Sequence, residues 1–127
     1  MDMKLELVTL PVSDVDRAKA FYVEQMGFVA EHDVTVSEGL RFVQLTPPGS
    51  ACSIAIGEGL VDSEPGSVKG MQMVVADAAA AHTELVSRGA PATGPEAFPW
   101  GKFVYVDDPD GNRWALQELV PREAAAA

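Results

Sequence analysis

Two histidines, one cysteine and a handful of polar side chains are the residues of this chain that could do chemistry. His32 falls in a run with strand character and His82 in one with helical spacing, and each reads as a surface or packed histidine rather than a ligand. Cys52 sits in the apolar run Cys52-Ser53-Ile54-Ala55-Ile56 with no base in prospect, so it reads as a small buried hydrophobe. As a single cysteine it cannot form an intrachain disulfide. Acid–base catalysis needs a matched pair. The polar candidates Tyr105, Arg41, Gln44, Arg113 and Gln117 form no recognised constellation, and no Ser-His-Asp arrangement is on offer.

Aromatic residues give a different prospect, stacking on a flat ligand. Phe42, Phe98, Trp100, Phe103, Tyr105 and Trp114 are the candidates. Trp114 alternates with Ala115 and shares a face with Leu116, which places it in a helix-facing core. Trp100 lies in the loop-like stretch Phe98-Pro99-Trp100-Gly101, where an aromatic has less reason to be core, so it is the better ligand contact. Phe42, Phe103 and Tyr105 remain open between core and pocket.

Composition narrows the field. The chain has 127 residues, the size of one domain, with 47% hydrophobic and 22% charged residues. Net charge is −10, from nine Lys and Arg against nineteen Asp and Glu. The basic residues are scattered rather than set in a stripe, which argues against nucleic acid. The acidity serves solubility and slightly favours cationic ligands. No run is apolar for the roughly 18 residues a membrane span needs. The start, Met-Asp-Met-Lys-Leu-Glu, lacks a signal-peptide pattern, so a cytoplasmic location is the default expectation.

The elements that must position these residues repeat. Leu5–Val12 has strand character, and Ser13 or Asp14 can cap a helix over Asp14–Met26 that Gly27 ends. Strands follow at Phe28–Val36, Leu40–Thr46 and Ala51–Ile56. The stretch 58–68 has no period and reads as a linker. The order then recurs: a strand over Lys69–Val75, a helix over Asp77–Arg88 ended by Gly89, and strands at Pro91–Ala97, Lys102–Val106 and Arg113–Leu119. Asp107-Asp108-Pro109-Asp110-Gly111-Asn112 supplies the last turn. The expected organisation is one domain over 1–127, with a module at about 4–57, the linker, a second module at about 69–120 and a frayed tail at 121–127. This is an α+β plan of two βαβββ modules.

Three segments carry a resemblance. They are Leu10-Pro11-Val12-Ser13-Asp14-Val15-Asp16-Arg17-Ala18-Lys19-Ala20-Phe21-Tyr22 closed by Gly27-Phe28, then Val74-Val75-Ala76-Asp77 with its helix ending Arg88-Gly89, then Asp108-Pro109-Asp110-Gly111-Asn112-Arg113-Trp114. In this order and spacing the chain resembles the glyoxalase/bleomycin-resistance (vicinal oxygen chelate) superfamily. The resemblance implies a curved, mostly antiparallel sheet around a cup.

It also implies where a divalent metal would be held in those members that bind one, by His, Glu or Gln. The family pattern maps these positions to Leu7, near Ala55, to Met71 and to Ala115, none of which is a normal ligand. A slip of two residues brings in Leu5, Thr9, Ser53, Gly57, Lys69, Met73, Arg113 or Gln117, still without His or carboxylate. The expectation is no metal and no cofactor, and a cup that takes a small organic ligand. Its contacts are expected among Leu7, Thr9, Phe42, Gln44, Ser53, Ala55, Met71, Met73, Trp100, Phe103, Tyr105, Ala115 and Gln117.

The resemblance implies relatives that sequester antibiotics or other aromatic compounds, and a homodimer. Whether the protein is an enzyme is left open. The alternatives are a metal-free lyase, isomerase or cyclase on a carbonyl or polyketide-like substrate, and a metal-dependent glyoxalase or dioxygenase-type enzyme.

Overall fold

In a computed structural model that describes residues 1–120, the chain forms two compact units. One comprises Met1–Val68 with Asp108–Asn112, and the other comprises Lys69–Asp107 with the described residues from Arg113 onward. The tail expected to fray, 121–127, lies outside the described residues.

In the first unit, β1 (Leu7–Thr9) leads to α1 (Val15–Ala20), then β2 (Val29–Ser37), β3 (Leu40–Thr46) and β4 (Ser53–Glu58). The strand order is β1-β4-β3-β2, with β1 parallel to β4 and the other pairs antiparallel. Asp14 caps α1 by accepting from the Arg17 backbone N–H at 3.0 Å. The expected single helix to Met26 is instead a short α-helix followed by a π-helical turn, Phe21–Gln25. Phe21 and Tyr22, the first residues of that turn, are both buried, their rings edge to face at 5.1 Å. Gly27 follows at φ 77°, a conformation glycine adopts without a Cβ penalty.

Alternation sorts the sheet's two faces. Val43, Leu45, Ile54 and Ile56 share one face and are fully buried. Arg41 lies on that same face and reaches Asp16 of α1 at 2.9 Å, which fixes it as the helix side. Arg41 also pairs with Asp33, which Lys19 contacts at 2.8 Å. Hydrogen bonds from Arg41 and then Lys19 hold the Asp33 carboxyl well below the usual carboxylate range. A depressed folded pKa stabilises above the unfolded value and is lost as pH falls through the folded one. Asp33→Asn is therefore expected to cost about 1 kcal/mol at pH 7, solvent screening keeping the value modest. The difference from wild type should shrink below about pH 4. Urea titrations of both proteins at pH 7 and pH 3 check this, and a constant difference would contradict it.

The turn Asp108–Asn112 packs within this first unit. Asp108 is 4% exposed and accepts from Tyr22 Oη at 2.8 Å, Asn112 Nδ2 at 2.8 Å, and the backbone N–H groups of Asp110 and Asn112. Asn112 Nδ2 also donates to the Pro11 carbonyl, and Asp110 accepts from Ser13 and Arg17. The linker is tied in as well, through Val68 N–H to Asn112 Oδ1 at 3.1 Å.

The second unit repeats the plan with β5 (Met71–Val74), α2 (Ala78–Ser87), β6 (Thr93–Phe98), β7 (Gly101–Asp107) and β8 (Arg113–Leu119). Its strand order is β5-β8-β7-β6, with β5 parallel to β8. Asp77 caps α2 through the Ala80 N–H at 3.0 Å, matching Asp14 in the first unit. Glu118 on β8 accepts from Ala78 N–H at 2.9 Å, so the face carrying Glu118 is the helix side. Trp114, Leu116, Val104 and Val106 pack there, with Trp114 only 1% exposed, as its alternation with Ala115 predicts.

Candidate functional site

Each sheet has a second face, turned away from its helix, and most of the candidate ligand contacts lie there. In the first unit the pairings Leu7 with Ser53, Thr9 with Ala55, Gln44 with Ala55 and Phe42 with Gly57 place all six candidates on that face. Its chemistry is that of hydroxyls and an amide. Ser53 Oγ is 2.7 Å from Thr46 Oγ1 and accepts from Gln44 Nε2 at 3.2 Å. Ser53 and Ala55 are buried, whereas Leu7, Thr9, Phe42 and Gln44 are half-buried. Cys52, just before β4, is half-buried rather than buried, with its Sγ against the Ser53 carbonyl at 3.6 Å.

In the second unit the face away from the helix carries Ala115, Gln117, Phe103 and Tyr105, joined by the pairs Tyr105–Ala115 and Phe103–Gln117. Met71 and Met73 do not join them. Met71 pairs with Trp114 and Met73 with Leu116, which puts both methionines on the helix side. The residues of β5 that face outward with Ala115 and Gln117 are Gln72 and Val74. The assignment of Met71 and Met73 to the ligand face is thereby corrected. A strand has period two, so an error of one residue transfers every side chain to the other face. A signal for Gln72 was present: it stands five residues before the capping Asp77, as Thr9 stands five before the capping Asp14.

Trp100 occupies the two-residue turn Pro99-Trp100 between β6 and β7 and is 60% exposed. Its ring stacks on Phe98 at 5.3 Å with planes 11° apart. Phe98 meets Phe103 edge-on at 5.7 Å, and Phe103 lies nearly parallel to Tyr105 at 6.2 Å. Four aromatic rings thus run in contact along one face, and the small residue Ala115 lies opposite Tyr105. Phe98, one of the aromatic residues with a stacking prospect in the sequence though not among the expected ligand contacts, belongs to this wall.

Polar groups border the wall. Gln117, 9% exposed, donates from Nε2 to the Trp100 carbonyl at 3.0 Å and accepts at Oε1 from Gln72 Nε2 at 2.6 Å. Gly101 makes this approach possible: at φ 152° a Cβ there would lie 2.8 Å from the Glu118 carbonyl and 2.9 Å from Gln117 Nε2. At the far end of the strand pair Arg113 Nε donates to Asp107 at 2.9 Å. The Asp107 carboxylate raises the Arg113 pKa further, so this guanidinium exchanges no proton near neutrality.

The positions where the family likeness places metal ligands carry no His or carboxylate. Leu7, Thr9, Ser53, Ala55, Gln72 and Ala115 offer hydroxyls, one neutral amide and apolar groups. Among the described residues no three of His, Cys, Asp or Glu lie close enough together to hold an ion. A separate pocket of about 280 Å³ opens in the first unit between Leu10–Val12 and the stretch from Gly57 to Pro65. None of the expected ligand contacts lines it.

This geometry belongs to a known class. The pattern of the Glyoxalase/Bleomycin resistance protein/Dioxygenase superfamily matches residues 4–116, and the chain is a member of that superfamily. Among solved structures it is similar to TnmS3, an antibiotic binding protein from Streptomyces sp. CB03234. The two share 33% identity and a TM-score of 0.85, over 94% of this chain and 98% of that one. A glyoxalase/bleomycin resistance protein from the same Streptomyces is 35% identical with a TM-score of 0.79, over 90% of this chain and 99% of that one. An uncharacterized protein of Bacillus subtilis (strain 168), YetH, is 25% identical over 93% of this chain and its own full length. Among the described residues no helix is long and apolar enough to cross a membrane.

Proposed function

We propose that this protein binds and sequesters a flat aromatic, antibiotic-like small molecule on the aromatic face of its second unit, with no metal taking part. The observation that carries this reading is the run of four rings from Tyr105 to Trp100, ending on a tryptophan 60% exposed. Ligand sites are largely apolar and aromatic with a few placed polar groups, and Gln72 and Gln117 are such groups here. The antibiotic binding named for TnmS3, together with 33% identity to it, supports the same class of ligand. Binding is favoured over turnover by the polar groups of this face, which are Tyr105, an Arg113 held by Asp107, and two neutral glutamines.

Titration with a planar anthraquinone antibiotic is expected to quench the exposed Trp100, since Trp114 is enclosed. Mass spectrometry of the recovered compound should show it unchanged. Elemental analysis after incubation with nickel, zinc, manganese and iron(II) should find less than one ion per chain. Chemical conversion would move the protein to the enzymes, and one tight metal per chain would remove the metal-free part of the reading.

The same reading takes the protein as a cytoplasmic homodimer. Strand β2 is an edge strand exposed along its whole length, and Val29, Val34 and Val36 are each at least half exposed on it. Edges of this kind are usually covered or charged. Light scattering is expected to give twice the chain mass, and a monomer at micromolar concentration would contradict the dimer.

A further inference from the structure

We propose that the Trp100 carbonyl, Gln117 and Gln72 form a one-way amide relay that displays the Gln72 carbonyl oxygen beside the aromatic wall, and that this selects flat aromatic ligands carrying a hydroxyl on their edge. The inference rests on the aromatic-ligand reading above and adds to it the feature that separates one such ligand from another.

The direction of the relay follows from its first member. A backbone carbonyl can only accept, so Gln117 must turn its Nε2 toward Trp100, and the 3.0 Å contact has that sense. Gln117 Oε1 is then obliged to face Gln72, which must answer with its own Nε2, at 2.6 Å. Neither amide can be flipped without setting two acceptors or two donors against each other. Because Gln117 is almost fully buried, such a mismatch would carry the cost of an unsatisfied buried polar group. The relay therefore ends with Gln72 Oε1 unpaired among the described residues, on an exposed side chain.

Placement makes that oxygen useful. Gln72 pairs across β5 and β8 with Ala115, and Ala115 pairs across β8 and β7 with Tyr105. A planar ligand laid over the small Ala115 side chain against the Tyr105–Phe103 end of the wall brings one edge to Gln72. A hydroxyl there donates to Oε1 and accepts from the remaining Nε2 hydrogen. A methoxy group at the same position cannot donate. Gln117 is in this scheme a positioning residue, since it sets the sense of Gln72 and anchors the turn that carries Trp100.

The test compares 2-naphthol with 2-methoxynaphthalene by isothermal titration calorimetry on the full-length protein. Wild type is expected to bind 2-naphthol about tenfold more tightly, the size of one well-placed hydrogen bond. Gln72→Leu should abolish the preference, the loss falling chiefly on 2-naphthol. Gln72→Leu leaves the buried Gln117 Oε1 without its donor, so its circular dichroism is compared with that of wild type as well. Gln117→Met should also erase the preference, and unaltered circular dichroism would show that the fold is kept. Equal affinity of wild type for both probes, with Trp100→Ala weakening both, would overturn the relay and leave the aromatic site standing. A preference that survives Gln72→Leu would overturn the relay too. Failure of both probes to bind wild type would remove the aromatic site itself, and the relay with it.

Discussion

Asp108→Ala is expected to lower stability by about 2–4 kcal/mol, the scale expected when buried donors lose a charged acceptor. The carboxylate is 4% exposed and is the common acceptor for Tyr22 Oη, Asn112 Nδ2 and two backbone N–H groups of its own turn. Alanine takes away the shared acceptor of all four donors. Asn112 is itself fully enclosed and bonds the Pro11 carbonyl, so the damage spreads to the end of β1 and the cap of α1. Asp108→Asn keeps the volume but turns an amide donor toward groups that are mostly donors, and should cost nearly as much. Tyr22→Phe removes one bond and should cost about 1–2 kcal/mol. Thermal and urea denaturation at pH 7 measure all three. A loss under 1 kcal/mol for Asp108→Ala would mean that water replaces the carboxylate, which the enclosure of Asn112 argues against.

Trp100→Ala is expected to weaken binding of a planar aromatic ligand by about 30-fold or more while changing stability by less than about 0.5 kcal/mol. The two halves of that expectation have one cause. An indole 60% exposed on a two-residue turn contributes little to the core, yet its ring lies parallel to Phe98 at 5.3 Å and extends the wall outward. Truncating a stacking tryptophan at a binding centre costs at least about 2 kcal/mol, and every 1.4 kcal/mol is tenfold in affinity. Trp100→Phe should recover most of the loss, because a flat ring remains. Calorimetric titration of the three proteins with one anthraquinone antibiotic, beside their thermal midpoints, provides the check. A fall in thermal midpoint with unaltered affinity would assign Trp100 to the fold instead of the ligand.

Much of this could be read from local pattern. The capping aspartates Asp14 and Asp77, the stops at Gly27 and Gly89, and the enclosure of Trp114 follow from residues within a few positions of one another. The exposure of Trp100 followed likewise from a Pro-Trp-Gly stretch too short to pack. Asp108 was legible only as a turn former. Its role as an acceptor for Tyr22, 86 positions away, carries no local signature.

The division between the two kinds of information is sharpest at β5. Alternation in Met71-Gln72-Met73-Val74 shows that the methionines share one face and Gln72 shares the other with Val74. Which face meets α2 is decided by the parallel register with β8, where Gln72 lies opposite Ala115. Sequence by itself determined the order of elements, the family likeness and the absence of His or carboxylate from the positions where that likeness places metal ligands. Tertiary structure alone decided which strand faces join, and so brought Gln72 to Gln117 and Phe98 to the aromatic wall. The reason is physical: periodicity is written into neighbouring residues, whereas strand register is a choice among long-range pairings that only the packed sheet settles.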